Sequence, residues 1–454
     1  MENVTMKLAE FISQLTFDKI PGGAIKKAKA SLLDSLGCAF SGSTTQCSKI
    51  VNHFVQSQKG VREASLWTTS FLGPAANVVL ANGTMIHSFD FDDYHMTKIH
   101  PGAAVIPAAM AVGEKEKIDG KRLITAVVAG YETMTHLSRG LNPGASRLKG
   151  WHLTGTCGTF AAAAALGNIW QFDPMTMSNA LGMAGTQSSG LWAFTADGSE
   201  SKRFHPGRAA QSGVIAAILA RKGYRGPTKI LEAEDGGFYK ATSEDFNFSK
   251  TLEGLGEKFD IEDVAIKPYP ACASLHSSVD AALILRKENE IPLDQIKEIQ
   301  VHNSELVNVQ CGFEYRPMGA LQAQMSMQYC MARIMIDGEL SMAQFTEEKL
   351  SDPAAIELTQ RVRFFLDEEI NMIYPREFPS VVEIIMKDGK NYRQRVNMPK
   401  GSVANPMTWL DVQKKFEKHA LQVVPEKKAN AIIEMIDHLE RVSDVGEIPK
   451  QMKP

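Results

Sequence analysis

Four short stretches concentrate the side chains able to move protons or hold anions. The first is Ser88-Phe89-Asp90-Phe91-Asp92-Asp93-Tyr94-His95, followed by His100-Pro101-Gly102. The second is Gly150-Trp151-His152-Leu153-Thr154-Gly155-Thr156, and the third runs from Ser199 through Lys202, Arg203 and His205 to Arg208. The fourth is Lys267-Pro268-Tyr269-Pro270-Ala271-Cys272, with His276 beyond it. The carboxylates of the first stretch allow three readings: oxygen ligation of a divalent cation, acid–base work, or a solvated helix end. If that segment is helical, Asp90 and Asp93 share a face while Asp92 points elsewhere, which leaves few ligands for a hard cation. His100 and His152, each taken singly, are as well explained by structure as by catalysis.

The elements around these stretches give them a common meaning. Each cluster precedes a segment of helical periodicity, where unpaired N–H groups and the positive end of the helix dipole are presented. Such ends, if they converge, build a site for a di- or tricarboxylate, and they favour a neutral imidazole able to act as a base. Apolar spacing predicts helices over Ala24–Phe40, Pro74–Ser88, Pro101–Glu114 and Lys121–Leu137. Small-residue helices are expected over Thr159–Gly167 and Ala209–Ala220, close-packed in the centre of a large helical domain.

The pattern changes after Lys267. Glu298–His302 and Val362–Phe365 read as strands, and Val381–Met386 with Tyr392–Val396 as a hairpin turning at Asp388-Gly389. Helices are expected at Ser277–Lys287 and Ser326–Ile336, and again from Thr408 onward. The expected fold is mainly α. A large all-helical domain is formed by both chain ends, 1–267 and 403–454, with a smaller inserted α+β lid domain at 268–402.

Composition limits the partners. The 454 residues carry 49 Lys+Arg against 52 Asp+Glu, and 44% are hydrophobic. These values describe a globular chain rather than a disordered one and argue against nucleic-acid binding. The six cysteines form no C-x-x-C pair, which suits neither zinc nor an iron–sulfur cluster. Met1–Lys19 does not read as a signal peptide and no stretch reaches membrane-spanning length, so a soluble cytoplasmic protein is expected.

In order and spacing these clusters resemble the MmgE/PrpD family of 2-methylcitrate dehydratase and cis-aconitate decarboxylase, over nearly the whole chain. The residues that carry the resemblance are Asp90-Phe91-Asp92-Asp93 with His100-Pro101, Gly150-Trp151-His152, Lys202-Arg203 with Gly207-Arg208-Ala209-Ala210, and Lys267 with Pro270. Asp34-Ser35-Leu36-Gly37-Cys38-Ala39 and Gly236-Gly237-Phe238-Tyr239 are further landmarks. The resemblance implies a helical domain and an α+β lid, a homodimer, and an interdomain active site without metal or organic cofactor. By motif match Asp90, His100, His152, Lys202 and Lys267 are the candidate catalytic residues. Arg203, Tyr94, Cys272, His276 and Tyr329 are the candidate substrate contacts. Two positions depart from the decarboxylase branch: Tyr94 stands where that branch carries Thr, and Cys272 where it carries His. In both respects the chain resembles the broad bacterial part of the family, which includes an iminodisuccinate epimerase.

Proton removal next to a carboxylate makes an enediolate-like dianion, whose charge must be met where it develops. Lys202 and Lys267, with Arg203 in support, would clamp the substrate carboxylates. His152 or His100 would exchange the carbon-bound proton, the other would protonate a leaving hydroxide, and Asp90 would orient its neighbours. Dehydration of a 2-methylcitrate-like hydroxy-polycarboxylate is the first expectation, epimerisation of an imino- or amino-dicarboxylate the second, and decarboxylation of the cis-aconitate type the third. From other classes, an inactive carboxylate-binding helical dimer and a metal-dependent hydrolase built on Asp90–His95 stay open.

Overall fold

The computed structural model describes residues 3–196, 198–374 and 377–454. The chain forms two compact units, one of residues up to Ile266 together with Thr408–Pro454, the other Lys267–Met407. The fold is mainly α. In the first unit the helices up to residue 221 are α1 (Val4–Gln14), α2 (Gly22–Gly42), α3 (Gln46–Ser57), α4 (Ala75–His87), α5 (Gly102–Glu116), α6 (Gly120–Gly140), α7 (Pro143–Leu148), α8 (Leu153–Ile169), α9 (Pro174–Gly185) and α10 (Ser201–Arg221). A two-residue antiparallel pair, β1 (Ala64–Ser65) with β2 (Leu72–Gly73), precedes α4.

The centre of this unit is α8. Its sequence holds no charge and runs through five consecutive alanines, strong helix formers, and every residue in it is buried. A helix apolar all round belongs inside a domain, and α6 and α10 pack directly on it. The third large contact, α4 against α10, depends on glycine. A Cβ on Gly207 would collide with the Leu80 carbonyl oxygen, and one on Gly83 would lie 2.7 Å from the Gly207 Cα, so the two backbones touch.

Two helices begin earlier than the sequence predicts: α8 at Leu153 rather than Thr159, and α10 at Ser201 rather than Ala209. Pro206 and Gly207, residue types that usually interrupt helices, both lie inside α10. Proline there deprives the Lys202 carbonyl of its helical donor and costs about 3 kcal/mol. Burial of α10 against α4 and α8 offsets that cost. As a result Lys202, Arg203 and His205 stand on the first two turns of a helix rather than on a loop before one.

The chain returns to this unit through the helix Trp409–Ala420, which starts at a capping box made by Thr408 and Asp411 and packs on α2. Its Lys415 is buried, with Nζ 2.6 Å from Asp34 Oδ1 and donating to the Phe91 carbonyl at 2.7 Å. The same ammonium sits 3.7 Å from the centre of the Phe91 ring.

The second unit is built on a four-stranded sheet in the order β4-β3-β5-β6, where β3 is Ile296–Asn303, β4 Val362–Leu366, β5 Ser380–Met386 and β6 Asn391–Val396. The expected hairpin is the antiparallel β5–β6 pair; β3 also runs antiparallel to β5 but parallel to β4. Val279 and Leu285 of the helix His276–Glu288, with Met331 and Ile334 of Met327–Asp337, join Ile299, Val301, Val382 and Ile384 in its core. All six cysteines of the chain are buried thiols. Among the described residues no helix is long and apolar enough to cross a membrane.

Candidate functional site

The segment after α4 leaves the helix through Asp90, whose φ of +51° is left-handed. Aspartate tolerates that region better than most residues, and such placements recur at functional sites. The three carboxylates then go to three different partners. Asp90 Oδ2 lies 2.7 Å from Lys202 Nζ, both side chains being only about a tenth exposed. Asp92 holds the Nδ1 of His87, the last residue of α4, at 2.9 and 3.0 Å, and both groups are fully buried. Asp93 accepts from the Gly102 N–H at the start of α5 (2.9 Å) and from the Tyr131 hydroxyl of α6 (2.6 Å). Burial nonetheless pushes the Asp93 carboxyl up to about 7.

His100, just ahead of α5, is fixed from both ends. Its backbone N–H donates to Thr154 Oγ1 (3.1 Å) and its Nδ1 meets the Asp93 carbonyl (2.9 Å). Its Nε2 stands 3.6 Å from Asp90 Oδ1. The His87 ring packs edge-on against it, with centroids 4.7 Å apart, and lies 6.2 Å from the ring of His152. Asp90, His100 and Lys202 therefore converge, and His87 bridges them to His152.

His152 is the N-cap residue of α8, and its own N–H donates to the Gly190 carbonyl (2.9 Å). Its ring is buried among Trp192, Phe194 and His205, and its Nδ1 lies 3.0 Å from the Nδ1 of His205. Burial first, and then the nearby charge of Lys202, hold its pKa well below the usual imidazole range. His205 is pushed down to about 4, by burial and by His87. His152, one of the two histidines expected to exchange the proton, is therefore held toward its neutral form.

The other nominated residues are placed differently. Arg203 pairs with the exposed Glu200 at 3.0 Å and reaches toward Cys47 Sγ. Tyr94 is tied by its backbone to Ala265. Lys267 opens the second unit. There Cys272 Sγ accepts from Gln310 Nε2 (3.8 Å), and His276, the first residue of its helix, has Nε2 3.2 Å from the Ala271 carbonyl. The Tyr329 hydroxyl donates to the Gln344 carbonyl, and its ring packs between Tyr315 and Phe345 in that unit's core.

Two groups of ligand-type side chains gather within 4.8 Å among the described residues: His87, Asp90, Asp92 and His100, and Glu132, His136 and Asp260. Protein cations and N–H groups already engage both. Lys202 faces Asp90 and His87 faces Asp92. In the second group Arg139 pairs with Asp260, and Glu132 accepts the N–H groups of Asp260 and Ile261. That distribution favours ion pairing and proton transfer over the metal-hydrolase reading of Asp90–His95.

Models of the MmgE/PrpD N-terminal and C-terminal domains match residues 6–251 and 269–441. The chain belongs to the MmgE/PrpD family. Cis-aconitate decarboxylase of Aspergillus terreus is 28% identical over 97% of this chain and 94% of its own length. The human cis-aconitate decarboxylase is 26% identical over 100% of this chain and 95% of its own. The mitochondrial 2-methylcitrate dehydratase of Yarrowia lipolytica is 22% identical over 95% and 86%. These MmgE/PrpD relatives are lyases by name. Within this cluster, sequence reasoning missed His87 and passed over His205. His87 lies one residue outside the quoted acidic cluster, and its place five residues before Asp92 was the available signal.

Proposed function

We propose that this chain is a lyase acting on a small di- or tricarboxylate by proton transfer at the carbon next to a carboxylate. The observation that carries this reading is the largely shielded Lys202–Asp90 pair beside His100. An ammonium in a nearly dry site is worth far more to a developing enediolate than one in water. In this reading Lys202 shifts from Asp90 toward the substrate carboxylate, and neutral His152 takes the carbon-bound proton. His100, with Nδ1 held by the Asp93 carbonyl, delivers a proton from Nε2 to the departing hydroxide, and Asp90 offsets the charge the ring carries. Lys267, at the head of the second unit, is the further cation assigned to substrate.

Dehydration of a 2-methylcitrate-like hydroxy-polycarboxylate is the assigned reaction, because Tyr94 and Cys272 replace the Thr and His of the decarboxylase branch. Decarboxylation of a cis-aconitate-like acid is the second reading. It is favoured by the higher identity of the named decarboxylases, 28% and 26% against 22% for the dehydratase.

The test is NMR of candidate acids incubated with the protein in deuterated water. Loss of the hydroxyl with formation of a double bond is expected, slowed at least ~10²-fold in Lys202→Ala and in His152→Ala. Release of carbon dioxide would select the second reading. Deuterium uptake into an unchanged skeleton would replace both with epimerisation. Undiminished turnover in both variants would remove the site assignment.

A further inference from the structure

We propose that His205 is a positioning residue that holds His152 in the tautomer with a bare Nε2, so that Nε2 is the atom that takes the proton. The base role of His152 rests on the function proposed above; the tautomer does not. The two Nδ1 atoms lie 3.0 Å apart, and one hydrogen bond between two imidazole nitrogens holds one proton. Whichever ring donates, its partner must accept, so the state of His205 dictates that of His152.

The surroundings decide the direction. His205 follows Lys202 by three residues on α10, so the site's cation and this imidazole share a helix face. Gly155 and Gly190, themselves in contact, line it: a Cβ at either would lie 3.4 Å from a His205 side-chain carbon, and the Gly190 carbonyl, on a residue at φ +119°, also takes the His152 N–H. His205 is half-buried, so an N–H on its own Nε2 can be met by water. His152 is buried, and the charges and imidazoles around it are Lys202 and His205 from α10, His87 from α4, and His100, with Asp90 and Asp92 behind them. A proton on His152 Nε2 would have to be met inside the protein, without the solvent that His205 has. The favoured arrangement puts the proton on His152 Nδ1, donated to His205 Nδ1.

In the reaction the substrate C–H bond breaks, its electron pair stays on carbon as the enediolate, and the proton goes to His152 Nε2. His152 becomes an imidazolium whose Nδ1–H remains bonded to His205. The acceptor thus steadies the charged ring without taking the proton, as an orienting third group does in nucleophile–base pairs.

Long-range proton–nitrogen NMR of protein labelled with 15N-histidine reads this without any substrate. At neutral pH the His152 signals, assigned by their loss in His152→Gln, should show a protonated Nδ1 and a bare Nε2. His205→Phe keeps the ring volume but removes the acceptor and should abolish that pattern. His205→Asn, which returns an acceptor near the Nδ1 position, should restore it. With cis-aconitate and 2-methylcitrate as probes, kcat of His205→Phe should fall ~10²- to 10⁴-fold with KM little changed, and Asn should recover most of the loss. A protonated Nε2 on His152 in the unmodified protein overturns the proposal, as does an unchanged pattern in His205→Phe. Should the Phe variant fail to fold, the unmodified and Asn spectra still decide. If neither acid is turned over by the unmodified protein, the functional reading fails while the tautomer remains measured.

Discussion

At the scale of single residues, the His87–Asp92 pair is as much a part of the site as the groups expected to touch substrate. Both are fully buried, and His87 Nε2 makes no hydrogen bond. Asp92→Ala leaves the His87 Nδ1 without its acceptor inside the protein, which should cost about 2–3 kcal/mol in urea unfolding. Asp92→Asn keeps an acceptor and should cost less than about 1 kcal/mol. Equal costs would mean the pair is merely packed. Asp90, His100, Lys202 and His152 were legible in the sequence because each belongs to a local motif. The roles of His87 and His205 were not, because they depend on distances between separate elements: His152 and His205 are 53 positions apart.

Among elements, the closest approach sets the sharpest demand. Gly207→Ala should force α10 off α4, at a cost of about 1–3 kcal/mol, and move Lys202 and His205 with it. Thermal unfolding and turnover should therefore fall together; loss of stability with unchanged kcat would mean that α10 tolerates the shift. The interiors of most helices were readable from apolar spacing, as was the hairpin from its Asp-Gly turn. The starts of α8 and α10 were not. Glycine and proline normally punctuate, and only the packing of small residues between helices overrides them. The parallel pairing of β3 with β4 left no local trace either, since crossover partners are chosen by tertiary packing.

For the whole molecule, the buried histidines and Asp93 tie stability to pH in opposite senses. His95 and His205 are pushed down to about 4 and His419 to about 3, each by burial, from an unfolded value near 6.5. Between roughly pH 4 and 6.5 the unfolded chain binds protons that the folded chain refuses, so stability falls as pH drops through that window. Asp93 works in the opposite sense. Raised to about 7 from an unfolded value near 3.9, it favours the folded state at low pH, and that contribution is lost as pH rises to about 7. Asp93→Asn should therefore raise Tm relative to the unmodified protein more at pH 8 than at pH 5. A difference independent of pH would refute the buried titration.

The same first unit is closed by its last-made part. Lys415 ties Asp34 of α2 to the Phe91 carbonyl beside Asp90, from a helix separated from α10 by the entire second unit. During synthesis the acidic loop therefore leaves the ribosome long before the cation that anchors it. Arrested chains ending in the second unit would lack Lys415 and leave Asp34 and the Phe91 carbonyl without that cation.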